Sequence, residues 1–225
     1  MEDYINHRGR LRARFDRNGL NGLADYEVIE LMLTLAIPRR DVKPIAKEMI
    51  RRFGNLRKIL DADSPELLKI DGFGPAAASA FRLIRETVSL YLQQQAEEGD
   101  SLAKPELLHK FWKARIGSLT NEVFQVAYLD SACRLMRDGI ATLSEGTVDR
   151  AAVYPRRVVE TALQRKAAAV VLAHNHTNGN TQPSEQDKTI TRALVLAAAT
   201  VNIKVIDHLI VGVDSVFSFR KEGMI

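Results

Sequence analysis

The sequence predicts a chain in two parts: an N-terminal all-α module over residues 1–95, a linker over 96–104, and a C-terminal α/β (α+β) domain around a central mixed sheet over 105–225. Three observations lead there. The first ninety-odd residues carry apolar side chains at helical spacing, punctuated by helix starts and stops. The segment Gln93-Gln94-Gln95-Ala96-Glu97-Glu98-Gly99-Asp100-Ser101 is polar and ends in turn formers, which marks a boundary. After Pro105, short apolar runs with β-branched and aromatic members alternate with helical stretches, the order expected when strands and helices share one sheet.

The elements follow from the same rules. Asp25 to Ala36 has helical spacing and stops before Pro38. Val42 to Phe53 has Pro44 near its start, where a missing N–H costs little, and Gly54 just past its end. Ser64-Pro65-Glu66 has the form of an N-cap, a first-turn proline and an acidic first turn, and Gly74 to Gln95 is a longer helix. In the second part, strands are expected over Val123 to Leu129, Arg134 to Leu143, Ala168 to Ala173, Ile203 to Val213 and Val216 to Arg220. Helices are expected over Pro155 to Arg165 and Glu185 to Ala199.

Composition excludes several classes. With 46% apolar and 27% charged residues the chain is of the soluble globular type, and 225 residues suit one or two domains. No apolar run reaches the roughly 18 residues that a membrane span needs. Met1 to Arg17 mixes arginines with acids and lacks the apolar stretch of a secretory signal. The single Cys133 has no internal disulfide partner, which suits a reducing compartment, so the cytoplasm is the expected location. Residues 1–100 hold 16 Lys+Arg and 16 Asp+Glu, and residues 101–225 hold 16 against 12, so the whole excess of +4 lies in the second half. That surplus is too mild for a dedicated nucleic-acid binder and leaves DNA contact open.

The chemistry-bearing stretch runs from Val170 to Asp187. An apolar strand passes straight into His174-Asn175-His176. Residues i and i+2 of a strand face the same side, so the two imidazoles aim at one point. A loop containing Gly179 and Pro183 follows, and a helix opens at Ser184, which brings Asp187 back on its first turn. Two imidazoles and a carboxylate suit one Zn²⁺ per chain, with a fourth position open to water as in catalytic sites. A carboxylate outside the ligand shell would take the water's proton, and Glu122, at the head of the strand Val123 to Leu129, is the candidate. Ser184 could donate to an oxyanion. Blander roles compete: Ser184 with Asp187 has the form of a capping box, and Glu122 alone could be a solvated strand end.

His174-x-His176-x(10)-Asp187, with Ser184 three residues before the Asp and a Glu on an earlier strand, resembles the JAMM (JAB/MPN) metalloenzyme motif. More closely, the chain resembles RadC-like proteins. Glu122-Val123-Phe124, Glu145-Gly146-Thr147, Tyr154-Pro155-Arg156, Pro183-Ser184, Asp207-His208-Leu209-Ile210-Val211-Gly212 and Glu222-Gly223 stand in that family's order. The resemblance implies a JAMM/MPN-like fold, zinc held by His174, His176 and Asp187, and Glu122 as general base. It also implies a metallopeptidase or isopeptidase acting on an unidentified protein or peptide, and a family name that points to DNA repair. One departure stands out: the family's Pro-Ser-Gly after the second His is Thr177-Asn178-Gly179 here, which removes a fixed φ from the loop and leaves the ligands untouched. His208 fits the family as a structural strand residue, with the orienting of a ligand as the lesser alternative.

In the first half, Leu67-Leu68-Lys69-Ile70-Asp71-Gly72-Phe73-Gly74-Pro75-Ala76-Ala77-Ala78 resembles a helix-hairpin-helix, whose second helix offers N–H groups to a phosphate. Gly72, Phe73 and Gly74 are therefore candidate DNA contacts of a sequence-independent kind, with a protein-contact module as the competing role. Three functions remain in play: a zinc-dependent peptide or isopeptide hydrolase, a DNA-binding accessory protein for repair or recombination with a structural or vestigial zinc site, and a metal-dependent nuclease. The last would normally use more carboxylates than this chain offers.

Overall fold

A computed structural model describes residues 2–98, 105–146 and 153–225. Thr147 and residues 99–104 of the expected linker lie outside the described residues. The chain forms two compact units, residues 1–87 and 88–225.

The first unit is helical, with α1 (Glu2–Asn18), α2 (Asp25–Ala36), α3 (Lys43–Phe53), α4 (Leu56–Asp61), α5 (Ser64–Leu67) and the opening turns of α6 (Pro75–Glu98). Helix α3 ends where Gly54 turns to a φ of 94°, a region that costs glycine little. Asn55 caps α4 by accepting from Lys58 N–H at 2.9 Å. Helix α5 starts one residue ahead of the expected register: Asp63 is its N-cap and Pro65 its second helical residue. Ile29, Leu33, Met49, Ile59, Phe73 and Phe81 fill a common core. Phe73 is thus a core residue, 3% exposed, between two glycines at the surface turn.

Helix α6 continues through Gln93–Gln95 to Glu98, so residues 96–98 of the expected linker are helical. The reason is amphipathicity: Leu92 and Ala96 pack into the core of the second unit, while Gln94 and Gln95 face solvent.

The second unit is built on a five-stranded sheet in the order β2-β1-β3-β4-β5, with β1 (Glu122–Leu129), β2 (Leu135–Gly146), β3 (Ala169–Asn175), β4 (Lys204–Val211) and β5 (Val216–Ser218). β3 and β4 run parallel and the other neighbours antiparallel, so the sheet is mixed. Strand alternation sorts its side chains to two cores. On one face Val123, Ala127, Val171 and Leu209 pack on α7 (Pro105–Arg115) through Leu108, Phe111 and Trp112. On the other, Phe124, Val126, Val170 and Leu172 meet α8 (Pro155–Arg165) and α9 (Glu185–Ala199) through Val158, Ala162, Leu194 and Ala198. Helices α8 and α9 have the bounds that the sequence spacing predicts, whereas α7 is an addition to it. No helix of the described residues is long and apolar enough to cross a membrane.

Trp112 is fully buried, and its Nε1–H donates to Gln125 Oε1 at 3.1 Å. Trp112→Ala therefore opens a cavity and orphans one acceptor. Chemical denaturation should show a loss of about 3–5 kcal/mol.

Candidate metal centre

Strand β3 runs two residues beyond the apolar run, so His174 lies within it and His176 just past its end. His174 pairs with Phe124 in the β1 ladder. By alternation His174 and His176 share the face covered by α9, whereas Asn175 turns to the opposite face. Ser184 is the N-cap of α9, and its Oγ accepts from Asp187 N–H at 3.1 Å while the Asp187 carboxylate accepts from Ser184 N–H at 2.7 Å. The capping box and the convergence on the imidazoles coexist in Asp187, because helix position N3 points its carboxylate back over the helix start and toward β3.

Among the described residues, His174, His176 and Asp187 form a group able to hold a metal ion. His174 Nε2 lies 3.1 Å from His176 Nε2 and 3.1 Å from Asp187 Oδ1, and His176 Nε2 lies 3.2 Å from Asp187 Oδ2. A tetrahedral ion with ligands at 2.0–2.1 Å spaces its ligand atoms about 3.3 Å apart, so the triangle has the right edge for one.

The hydrogen-bond network fixes which ring atoms carry protons. Thr191 Oγ1 donates to the Asp187 carbonyl at 2.5 Å, so toward His208 Nδ1, at 2.6 Å, it acts as acceptor. Burial pushes the pKa of His208 well below the ordinary histidine value, which favours the neutral ring. With its proton on Nδ1, His208 accepts at Nε2 from His174 Nδ1–H, 2.9 Å away. His174 Nε2 is left with a bare lone pair facing the centre. His176 reaches the same state by another route, since its Nδ1–H donates to the Asn180 carbonyl at 2.7 Å. Ring planes are held by stacking: Phe124 lies 5.8 Å from His174 at 10°, and Phe219 lies 5.0 Å from His208 at 15°.

Asp187 completes the centre as an anion. Burial opposes its charge, but hydrogen bonds with His174, His176 and Ser184 outweigh burial and hold the carboxyl far below the usual range. The hydrogen bond to Asp187 raises the pKa of His176 against the effect of burial, with the Asn180 carbonyl and the Glu122 charge adding to it. A proton and a metal ion therefore compete for the same atoms.

Glu122 stands at the head of β1, half-buried, on the face that carries Phe124 and His174. Ser184 Oγ donates its proton to Asp187 Oδ2 at 2.6 Å. Gly72, Phe73 and Gly74 belong to the first unit, with Phe73 buried in its core. In the loop after His176, Gly179 N–H donates to the His176 carbonyl at 2.9 Å with φ at 72°. Asn178 Oδ1 accepts from Asn180 N–H and Asn180 Oδ1 from Gln182 N–H, both at 3.0 Å. These Asx turns do locally what a proline would otherwise do. A cleft of about 330 Å³ opens beside His174 and Asp187, walled by Phe124, Val153, Ile190 and Ala193 with Gln186 and Thr189 among its polar lining.

The motif includes His208 but not its contact with His174, and it does not reach Thr191. His208 stands 34 residues from His174 and joins it only through the parallel β3–β4 pairing. Thr191 is four residues after Asp187 on α9, a helical spacing that places both on one face and could have pointed to it. Asp207, beside His208, serves the chain turn: it accepts from Ser218 Oγ at 2.5 Å and from Arg220 N–H at 3.0 Å.

Fold and site together define a JAB-type α/β domain with a His/His/Asp group compatible with a metal site. The RadC-like JAB domain family matches residues 102–224, and the UPF0758 N-terminal family matches residues 4–79. A UPF0758 protein of Fusobacterium nucleatum is 34% identical over 231 residues, covering 100% of this chain and 99% of that one. The chain belongs to the RadC-like JAB family.

One divalent metal ion should bind per chain, and elemental analysis of His174→Ala, His176→Ala or Asp187→Ala should find little or none. His208→Ala should keep the three ligands yet weaken metal affinity about 10–100-fold in a chelator competition, because the proton on His174 Nδ1 loses its acceptor. Metal retention should also fall with pH. The raised pKa of His176 means that a proton competes for its Nε2 at higher pH than for an ordinary histidine, so metal affinity in a chelator competition should weaken steadily as pH is lowered. In the metal-free chain the same shift stabilises the fold below the unfolded histidine pKa, and that contribution is lost as pH rises through the folded value.

Proposed function

We propose that the chain is a zinc-dependent hydrolase that cleaves a peptide or isopeptide bond. The observation that carries this is the convergence of two imidazole nitrogens and one carboxylate, three ligands among the described residues, beside an open cleft. Structural zinc sites are normally closed by four protein ligands, and three ligands with an open position are the catalytic form. Zinc held by His174, His176 and Asp187 would polarise a carbonyl and lower the pKa of water at that position.

The chain's own groups supply the rest. Glu122 is the proton acceptor: its carboxylate is close enough to His176 to favour the charged imidazole, yet it is not one of the three converging ligands. It takes the proton of the attacking water at a carboxylate oxygen and returns it to the departing amine. Ser184 holds the Asp187 carboxylate through its Oγ and N–H, so its first role is to orient a ligand; a share in oxyanion binding would need that hydroxyl proton to change partner. The apolar walls of the cleft, Phe124, Val153 and Ile190, suit an uncharged side chain of a protein or peptide substrate. The half-buried free thiol of Cys133 suits the cytoplasm.

A second, sequence-independent contact with DNA through Gly72-Phe73-Gly74 is favoured by one feature. Gly72 has φ at 78°, and a Cβ added there would stand 2.8 Å from Nη1 of Arg40, so a guanidinium lies over the hairpin turn. With this contact and a zinc of purely structural use, the chain would instead be an accessory protein of DNA repair or recombination. Glu122 distinguishes the two, since a structural site needs no base.

Glu122→Gln should retain fold and zinc, because amide and carboxylate are nearly the same size and all three ligands remain. Turnover in a peptide-library cleavage screen should drop by about two to four orders of magnitude. Unchanged turnover would remove Glu122 from the reaction. For the hairpin, the full chain should bind duplex DNA only at low salt, with a steep salt dependence that flattens in Arg40→Glu. A salt titration in which both proteins stay unbound would assign the turn to a protein contact.

A further inference from the structure

Asn175 stands between the two imidazole ligands in sequence but takes no part in the metal group. It is 0% exposed, and strand alternation sends its side chain to the face opposite the metal group. Its amide makes three hydrogen bonds, and all of them go to the segment around Glu122. Nδ2 donates to the Leu119 carbonyl at 3.2 Å and to the Asn121 carbonyl at 3.0 Å, and Oδ1 accepts from Val123 N–H at 2.8 Å. Both N–H groups of the amide are therefore used, and its carbonyl is occupied as well.

The placement of two of these bonds is specific. The Asn121 carbonyl belongs to the peptide group before Glu122, and the Val123 N–H belongs to the one after it. Pinning both peptide planes fixes φ and ψ of Glu122 and so the direction of its Cα–Cβ bond. The ladder does not do this on the β3 side. Pairing of β1 with β3 ends at Phe124↔His174, two residues short of Glu122, and only the β2 partner Gly146 continues beyond. A strand end held on one side frays, and the Asn175 amide replaces the missing ladder bonds. The residue that does so is covalently flanked by the ligands His174 and His176.

We propose that Asn175 is a positioning residue that ties Glu122 to the ligand strand and so sets the reach of the Glu122 carboxylate to the metal centre. This rests on Glu122 acting as the base. In that arrangement a shift of β3 carries ligands and base together, and their separation is held by one buried side chain rather than by the loop before β1. Losing the amide frees the backbone at Glu122 without touching a ligand.

The test uses the full chain loaded with cobalt(II), with acetohydroxamic acid as probe and the visible spectrum of the metal as readout. A hydroxamate on the metal offers a proton to the base, so Glu122→Gln should weaken its binding by about tenfold. Asn175→Ala should retain one cobalt and weaken binding by about three- to tenfold. In the double variant Asn175→Ala should add nothing to Glu122→Gln, because it acts only through that carboxylate. Wild-type affinity in Asn175→Ala, losses that multiply in the double variant, or loss of cobalt from Asn175→Ala would each overturn the proposal. If Glu122→Gln binds the hydroxamate as tightly as the unaltered chain, the base assignment itself fails and the proposal falls with it. No hydroxamate binding by the unaltered cobalt-loaded chain counts against the metal reading. Should Asn175→Ala not fold, Asn175→Asp is isosteric, keeps the acceptor facing Val123 and loses the donors to Leu119 and Asn121, and the same coupling decides.

Discussion

With both rings neutral, Nε2 of His174, Nε2 of His176 and the carboxylate of Asp187 face one another through lone pairs at 3.1 and 3.2 Å, and a proton on an imidazole turns its contact with Asp187 into a hydrogen bond. Electron pairs at that spacing repel, and in a half-dry site little water is present to screen them. The surrounding network prevents the obvious relief. Thr191 fixes the proton of His208, His208 fixes that of His174, and the Asn180 carbonyl fixes that of His176. His174 cannot turn over its tautomer without stranding the buried His208 Nε2, and His176 would lose its bond to the Asn180 carbonyl. A cation relieves that repulsion, either a metal ion shared by the three groups or a proton on His176.

Sheet geometry makes this cluster inexpensive to assemble. One strand, β3, supplies two ligands from one face and the Asn175 clamp from the other. Its parallel neighbour β4 supplies His208, its antiparallel neighbour β1 supplies Phe124 and Glu122, and the crossover helix α9 supplies Asp187 and Thr191. His174, Asn175, His208, Glu122, Asp187 and Thr191 thus sit on regular elements, while His176 stands just past the end of β3 and is held by the Asn180 carbonyl. The Ser184 cap ties the helix start to the same carboxylate, so helix stability and ligand orientation depend on one pair of residues.

Much of this was legible in the sequence, for physical reasons. His-x-His on a strand and an acid on the first helical turn are short-range patterns, and period 2 and helix capping translate them directly into direction. The bounds of α2, α8 and α9 follow from caps and prolines in the same way. What stayed hidden depends on pairing between distant segments. The His174–His208 contact needs the β3–β4 register, and the Asn175 clamp on residues 119–123 needs the β1–β3 register, neither of which a local pattern encodes. Helix α7 was obscured because its apolar stripe Leu108, Phe111, Trp112 follows a proline at a change of composition. The polar run Gln93–Glu98 reads as a linker by composition, yet Leu92 and Ala96 bury one side of it as a helix.

If His174, His176 and Asp187 together hold one metal ion through two Nε2 atoms and a carboxylate, X-ray absorption at the zinc edge of the zinc-loaded full chain measures that shell most directly. About four light-atom ligands at about 2.0–2.1 Å are expected, with outer-shell scattering from two imidazole rings that falls to one ring in His176→Ala with any zinc that remains. A shell of oxygen atoms without imidazole scattering, or one containing sulfur at about 2.3 Å, would contradict it.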